Sequence, residues 1–161
     1  MTKKLNVRLI FNVLIALIVV AGTASCSKDV LRPNELSAEG LVSGRLDGTW
    51  TSPRDIVTPA NVPSEIFGSM RLVFTTNEKG EPVKFIAHDS PIVFGTGAAA
   101  DWTATAAGDS TSIKLTGVGP VDDFKVKVSS NFMTISFYMG WENTETKATG
   151  KGNFKVTLAR Q

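Results

Sequence analysis
Apolar and polar residues alternate with a period of two over most of the chain beyond residue 70. Leu72 and Phe74 alternate with Arg71 and Thr75, and Val83, Phe85 and Ala87 alternate with Lys84 and His88. Ile113 and Leu115 flank Lys114, while Phe124, Val126 and Val128 alternate with Lys125 and Lys127. Met133, Ile135, Phe137 and Met139 are interleaved with Thr134, Ser136 and Tyr138, and Phe154, Val156 and Leu158 with Lys155 and Thr157. Successive side chains of a strand point to opposite faces, so each run predicts a strand with one buried face. A weaker alternation surrounds Trp102, with Thr103 and Thr105 opposite it. The segment ending at Trp50 brings the total to about eight strands. No segment sustains the 3.6-residue apolar period of a helix of several turns.

The connections set the order of the strands. Asn77-Glu78-Lys79-Gly80, Ala107-Gly108-Asp109-Ser110, Gly117 to Pro120 and Ser129-Ser130-Asn131 are short turn clusters, and short turns join antiparallel neighbours. The expectation is an all-β, up-and-down meander barrel of about eight strands that removes its edges by closing on itself. A β-sandwich is the alternative, favoured by long crossing connections. The one long loop expected is Thr51 to Glu65. The inward set is Trp50, Leu72, Phe74, Phe85, Ile113, Leu115, Phe124, Val126, Phe137, Phe154, Val156 and Leu158. Eight strands enclose an interior either filled by side chains or holding one small ligand.

The first 25 residues follow a different pattern. Lys3, Lys4 and Arg8 precede an apolar run of about 14 residues, Leu9 to Gly22, interrupted only by Asn12. Small residues Thr23, Ala24 and Ser25 then lead to the only cysteine, Cys26. A basic start, a short apolar core and small residues make a secretory signal, and the core is shorter than the ~20 residues that span a bilayer. Thr23-Ala24-Ser25-Cys26 resembles the lipobox of bacterial lipoproteins, with Thr23 in place of the usual aliphatic residue. The resemblance implies a cysteine acylated by long chains such as palmitate, and two or more chains anchor stably. Cys26-Ser27-Lys28-Asp29 is similar to the mature start of lipoproteins from Bacteroidota. That likeness implies an outer-membrane protein on the periplasmic or cell-surface face. The domains expected are a signal over 1–25, a lipidated cysteine and flexible tether over 26–44, and a barrel over 45–161.

Charge changes meaning once the signal is removed. The chain carries 17 basic and 15 acidic residues, a formal +2. Residues 1–25 hold three of the basic residues and none of the acids, so the mature chain is at −1. No basic cluster remains as a footprint for nucleic acid. One cysteine makes no internal disulfide.

Gly48-Thr49-Trp50, on the first strand and ahead of the long loop, resembles the G-x-W signature of lipocalins and of lipocalin-like lipoproteins common in Bacteroidota. The resemblance implies that Trp50 plugs the closed end, that Gly48 lets the chain pass close beside it, and that Arg160 packs across the indole. The T-D-x-x-Y stretch of classical lipocalins is absent, and Tyr138 is the only tyrosine. It also implies a small hydrophobic or amphipathic ligand, lined by Leu72, Phe74, Phe85, Leu115, Phe124, Val126, Phe137 and Phe154. The competing class is a non-enzymatic interaction or scaffold module that meets an envelope protein through its loops.

Candidate chemistry is sparse. His88, the sole histidine, lies beside Asp89 on a polar face, as a base and its orienter would. No serine motif or set of metal ligands joins them, and zinc needs three or four protein ligands. Asp122-Asp123 reads as turn chemistry, Glu142 and Glu145 as a solvated turn, and Gly95 and Gly97 lack the lysine and helix of a phosphate loop. No catalytic residue, metal or cofactor is expected.

Overall fold
The computed structural model describes residues 36–95, 97 and 99–161. The signal over 1–25, Cys26 and most of the expected tether lie outside these residues. Eight antiparallel strands close into one barrel in sequence order. They are β1 (Gly48–Val57), β2 (Arg71–Thr76), β3 (Pro82–His88), β4 (Ala99–Ala107), β5 (Ser110–Thr116), β6 (Asp123–Ser129), β7 (Phe132–Glu142) and β8 (Thr149–Arg160). The meander barrel is therefore the architecture, and the sandwich is excluded. Trp50 pairs with Leu72 on one side and Arg160 on the other, which is where the sheet closes on itself.

The alternation of sequence becomes burial. In β7, Met133, Ile135, Phe137 and Met139 are buried between the exposed Phe132, Ser136, Tyr138 and Gly140, with Thr134 half-buried. All twelve residues of the inward set are buried. Taking ~1.5–3 kcal/mol for each fully buried large apolar side chain, this interior is the main source of stability. Among the described residues the buried apolar side chains run from Leu46 to Leu158.

Two local expectations change. The long loop expected from Thr51 to Glu65 is half strand, because β1 continues to Val57. Ser52 and Asp55 take left-handed backbone angles (φ 55° and 47°), and the β1–β8 register shifts after Thr51 and again after Arg54. These bulges break the period of two and accommodate Pro53, which cannot donate to a ladder. The loop proper is Thr58 to Pro63, followed by a 3-10 helix over Ser64–Phe67.

The second change concerns the tether. Its last residues form α1 (Ala38–Ser43), capped by Ser37, whose hydroxyl accepts from the Gly40 N–H at 2.9 Å. Buried Ser43 donates from Oγ to the Gly80 carbonyl in the β2–β3 turn at 2.5 Å. Gly40 and Gly80 meet backbone to backbone, and a Cβ on either would collide with the other segment. Six residues are too few for an amphipathic period to show; the docking contacts are what hold them helical.

Candidate functional site
The closed end is built around Trp50, which is fully buried. Its Nε1 donates to the Leu46 carbonyl at 2.7 Å. The Arg160 guanidinium lies 4.4 Å from the indole centroid, and its Nη2 donates to the Arg45 carbonyl. Exposed Arg160 thus covers the indole from the solvent side, rather than projecting into the interior as strict alternation predicts. An Arg over an indole face is worth ~0.5–2 kcal/mol depending on desolvation. Gly48 has φ 117° and open space where a Cβ would sit. Backbone conformation, not close passage, is what calls for glycine there.

The interior is a connected set of rings. Trp102 meets Phe74 at 5.0 Å between centroids, Phe74 meets Phe85 at 4.9 Å, and Phe137 stacks on Phe154 at 5.2 Å. The eight side chains expected to line a ligand all face this interior, where they are buried. Two further rings come from outside the strands. Phe67, at the end of the 3-10 helix, packs edge-on against Phe154 and Phe137 at 5.9 and 6.2 Å. Phe94, at the end of α2 (Pro91–Phe94), lies 5.3 Å from both Phe85 and Phe124. Both enter from the open end, so the mouth is stoppered by the chain's own aromatics. Val121 joins them there, with its N–H donating to the Val93 carbonyl at 3.0 Å. Sequence reasoning missed Phe67, Phe94 and Val121. Their one signal is large apolar residues lying between the strand runs.

No protein-family model and no curated protein matches this chain.

Outside the stopper, the open end carries a cleft of about 410 Å³. Its apolar floor is Val62, Pro63, Ile66, Ile92, Met139 and Trp141, and Asn61, Glu142, Asn143 and Glu145 form a polar rim. Ile92 is 52 % exposed, which is high for a large aliphatic side chain held on a helix. Ordered loops position these groups. Thr58 Oγ1 donates to the Val62 carbonyl at 2.7 Å, and the Asn143 side chain accepts from the Glu145 and Thr146 N–H groups at 3.0 and 2.9 Å. Lys147 sits 3.7 Å from Glu142 and leaves Glu145 as the carboxylate on the rim without an ion pair among the described residues.

The remaining candidates are dispersed. His88 ends β3 opposite Arg71, and Asp89 turns the chain away with φ 53°. The Asp122 carbonyl accepts from the Leu115 N–H at 2.7 Å, and Asp123 begins β6 opposite Lys114. Among the described residues no three metal-ligating side chains converge. Ser90 Oγ and Trp102 Nε1 are buried with no hydrogen-bond partner among the described residues.

Proposed function
We propose that this chain is a membrane-anchored lipoprotein with a lipocalin-like barrel, acting without catalysis as the receptor for a small amphipathic ligand at the barrel's open end. The observation that carries this reading is the open-end cleft, with its apolar floor of Ile66, Ile92, Met139 and Trp141 under a polar rim. Its volume lies within the ~300–1,000 Å³ typical of small-molecule sites, which are mostly apolar with a few polar groups. The site differs from the one the sequence suggested. The ligand rests on Ile66, Ile92, Met139 and Trp141, outside the buried rings of Phe67 and Phe94.

Topology supports the anchored reading. Leu36, the first described residue, lines a hollow with Gly40, Gly44, Asp47, Thr76 and Gly80 at the closed end, opposite the cleft. Cys26→Ser is expected to abolish fatty-acid labelling of the chain in cells. Undiminished label on the mutant would rule out the lipoprotein reading.

Tryptophan emission tests the ligand site. Trp50 and Trp102 are buried and Trp141 lines the cleft half-buried, so binding is read mainly through Trp141. Titration with long-chain fatty acids and sterols is expected to give a saturable blue shift. Ile92→Asp removes part of the apolar floor from the outside and weakens binding about tenfold or more. No saturable change with any amphiphile overturns the proposal. The ring-filled interior favours a second reading, in which the same exposed floor meets an envelope protein. Native mass spectrometry of the purified protein separates the two, since a bound small molecule supports the first.

A further inference from the structure
The outer face of β6, β7, β8 and β1 carries more bases than acids. Residues paired across these strands form two rows. One runs Lys125, Ser136, Lys155, Val57 and the next runs Lys127, Thr134, Thr157, Arg54. Lys151 stands opposite Gly140 further along. With Arg160 at the closed end, these four strands hold six bases and three acids, in a stretch from 36 to 161 whose acids outnumber its bases by thirteen to twelve. Asp123, on the first residue of β6, Asp55, in the β1 bulge, and Glu142, on the last residue of β7 and 3.7 Å from Lys147, are the carboxylates on the margins of the face. Lys127 is partly neutralised by Asp109 at 2.6 Å, and the hydrogen bond from Lys127 holds that carboxyl below its usual range. Among the described residues Arg54, Lys125, Lys151 and Lys155 have no carboxylate partner.

Between the cations the side chains are small: Ser136 and Gly140 are exposed, Thr134 is half-buried and Thr157 buried, and the two threonines share a hydrogen bond at 3.0 Å. A groove of about 550 Å³ runs past Val57, Lys125, Ser136, Tyr138 and Lys155. Tyr138 at 61 % and Val57 at 55 % stand exposed along it, and Phe132 at 39 % stands exposed at the other end of β7. The Arg54 guanidinium lies 4.1 Å above the Phe132 ring. Cations interleaved with an exposed tyrosine, phenylalanine and valine match the interface of an anionic bilayer, where basic groups meet phosphates and aromatic rings sit at headgroup depth.

We propose that this face docks the barrel, side-on, against a bilayer containing anionic phospholipid. Between Cys26 and Leu36 the chain can reach ~33–36 Å when extended, more than the ~13 Å radius of gyration of a domain of this size, so a tether there permits the posture. Side-on docking also leaves the open-end cleft lateral and accessible. The inference uses the anchored reading only to place the protein at a membrane. The contact itself does not require the lipid.

The test uses residues 31–161 without lipid, which contain the whole closed barrel, and two vesicle compositions. One is phosphatidylcholine alone and the other is equal parts phosphatidylcholine and phosphatidylglycerol. The domain is expected to sediment with the anionic vesicles at low ionic strength, to be released as salt rises, and to ignore the neutral ones. Removing both Lys125 and Lys155 charges (K125Q with K155Q) is expected to lower the partition coefficient on the order of 30-fold, about fivefold for each cation. Lys79→Gln with Lys84→Gln, on the β2–β3 hairpin away from this face, leaves it unchanged, and denaturant melts show all variants folded. No sedimentation with anionic vesicles overturns the proposal. So does an equal loss from the Lys79 and Lys84 pair, or capture by anionic polysaccharide but not by vesicles. Failure of Cys26 labelling would sink the anchored reading and leave this result standing, because the tested domain carries no cysteine.

Discussion

Trp50→Ala is expected to lower the unfolding free energy of the barrel domain by ~3–5 kcal/mol, the range for truncating a fully buried large aromatic. Three features place the effect at the upper part of that range. Trp50 is completely buried and lies where the sheet closes, paired to Leu72 in β2 and Arg160 in β8. Its Nε1–H is the donor to the Leu46 carbonyl, which loses that partner on truncation. Its indole is also the platform for the Arg160 guanidinium, which is left with only its bond to the Arg45 carbonyl. Guanidinium melts of the domain check the value. A shift of the midpoint at constant slope is the expected form, and a loss under ~1 kcal/mol would mean that Trp50 is not the plug of the closed end.

Phe94→Ala is expected to cost a similar ~3–5 kcal/mol, although Phe94 belongs to a four-residue helix in a loop. Its ring touches Phe85, Phe124 and Phe137, with centroids 5.3, 5.3 and 6.3 Å away, and it is 2 % exposed. Each such aromatic pair adds ~0.5–1.5 kcal/mol beyond the area it buries. Truncation leaves a cavity walled by those rings, and a cavity so lined stays dry and accepts small apolar guests. Benzene is accordingly expected to raise the melting temperature of Phe94→Ala and to leave the parent unchanged. A loss under ~1 kcal/mol without rescue by benzene would show that α2 does not stopper the barrel.

The strands were legible where the sheet is regular. Between Phe124 and Leu158, one apolar face against one polar face over three paired strands leaves a single solution, because a slip of one residue would turn every side chain to the wrong side. The same logic failed in β1. There the bulges at Ser52 and Asp55 displace the alternation, and strand read as loop. It failed again for α1, whose helical state depends on Gly40 meeting Gly80 some forty residues away in sequence.

The candidate site shows the same division. The eight residues expected to line a ligand were found from periodicity, and they do face inward. Periodicity reports the face of a strand but not what occupies the space between facing strands. Phe67 and Phe94 fill that space, and nothing local to Ile66-Phe67 or Ile92-Val93-Phe94 distinguishes a stopper from an exposed loop tip. Their effect was to move the candidate cleft from the inside of the barrel to its rim.

By itself the sequence determined the all-β class, the antiparallel order and the inward face of the regular strands. Each follows from local rules: the two-residue period of a strand and short turns between neighbours. The contact of Arg160 with Trp50 was expected only from the resemblance of Gly48-Thr49-Trp50 to the lipocalin signature. Tertiary structure alone decided that Phe67 and Phe94 pack among the interior rings, that Ala38–Ser43 is a docked helix, and that Lys125, Lys155 and Arg54 share one face. These depend on which distant segments meet, and burial and charge density belong to the assembled surface rather than to any window of the chain.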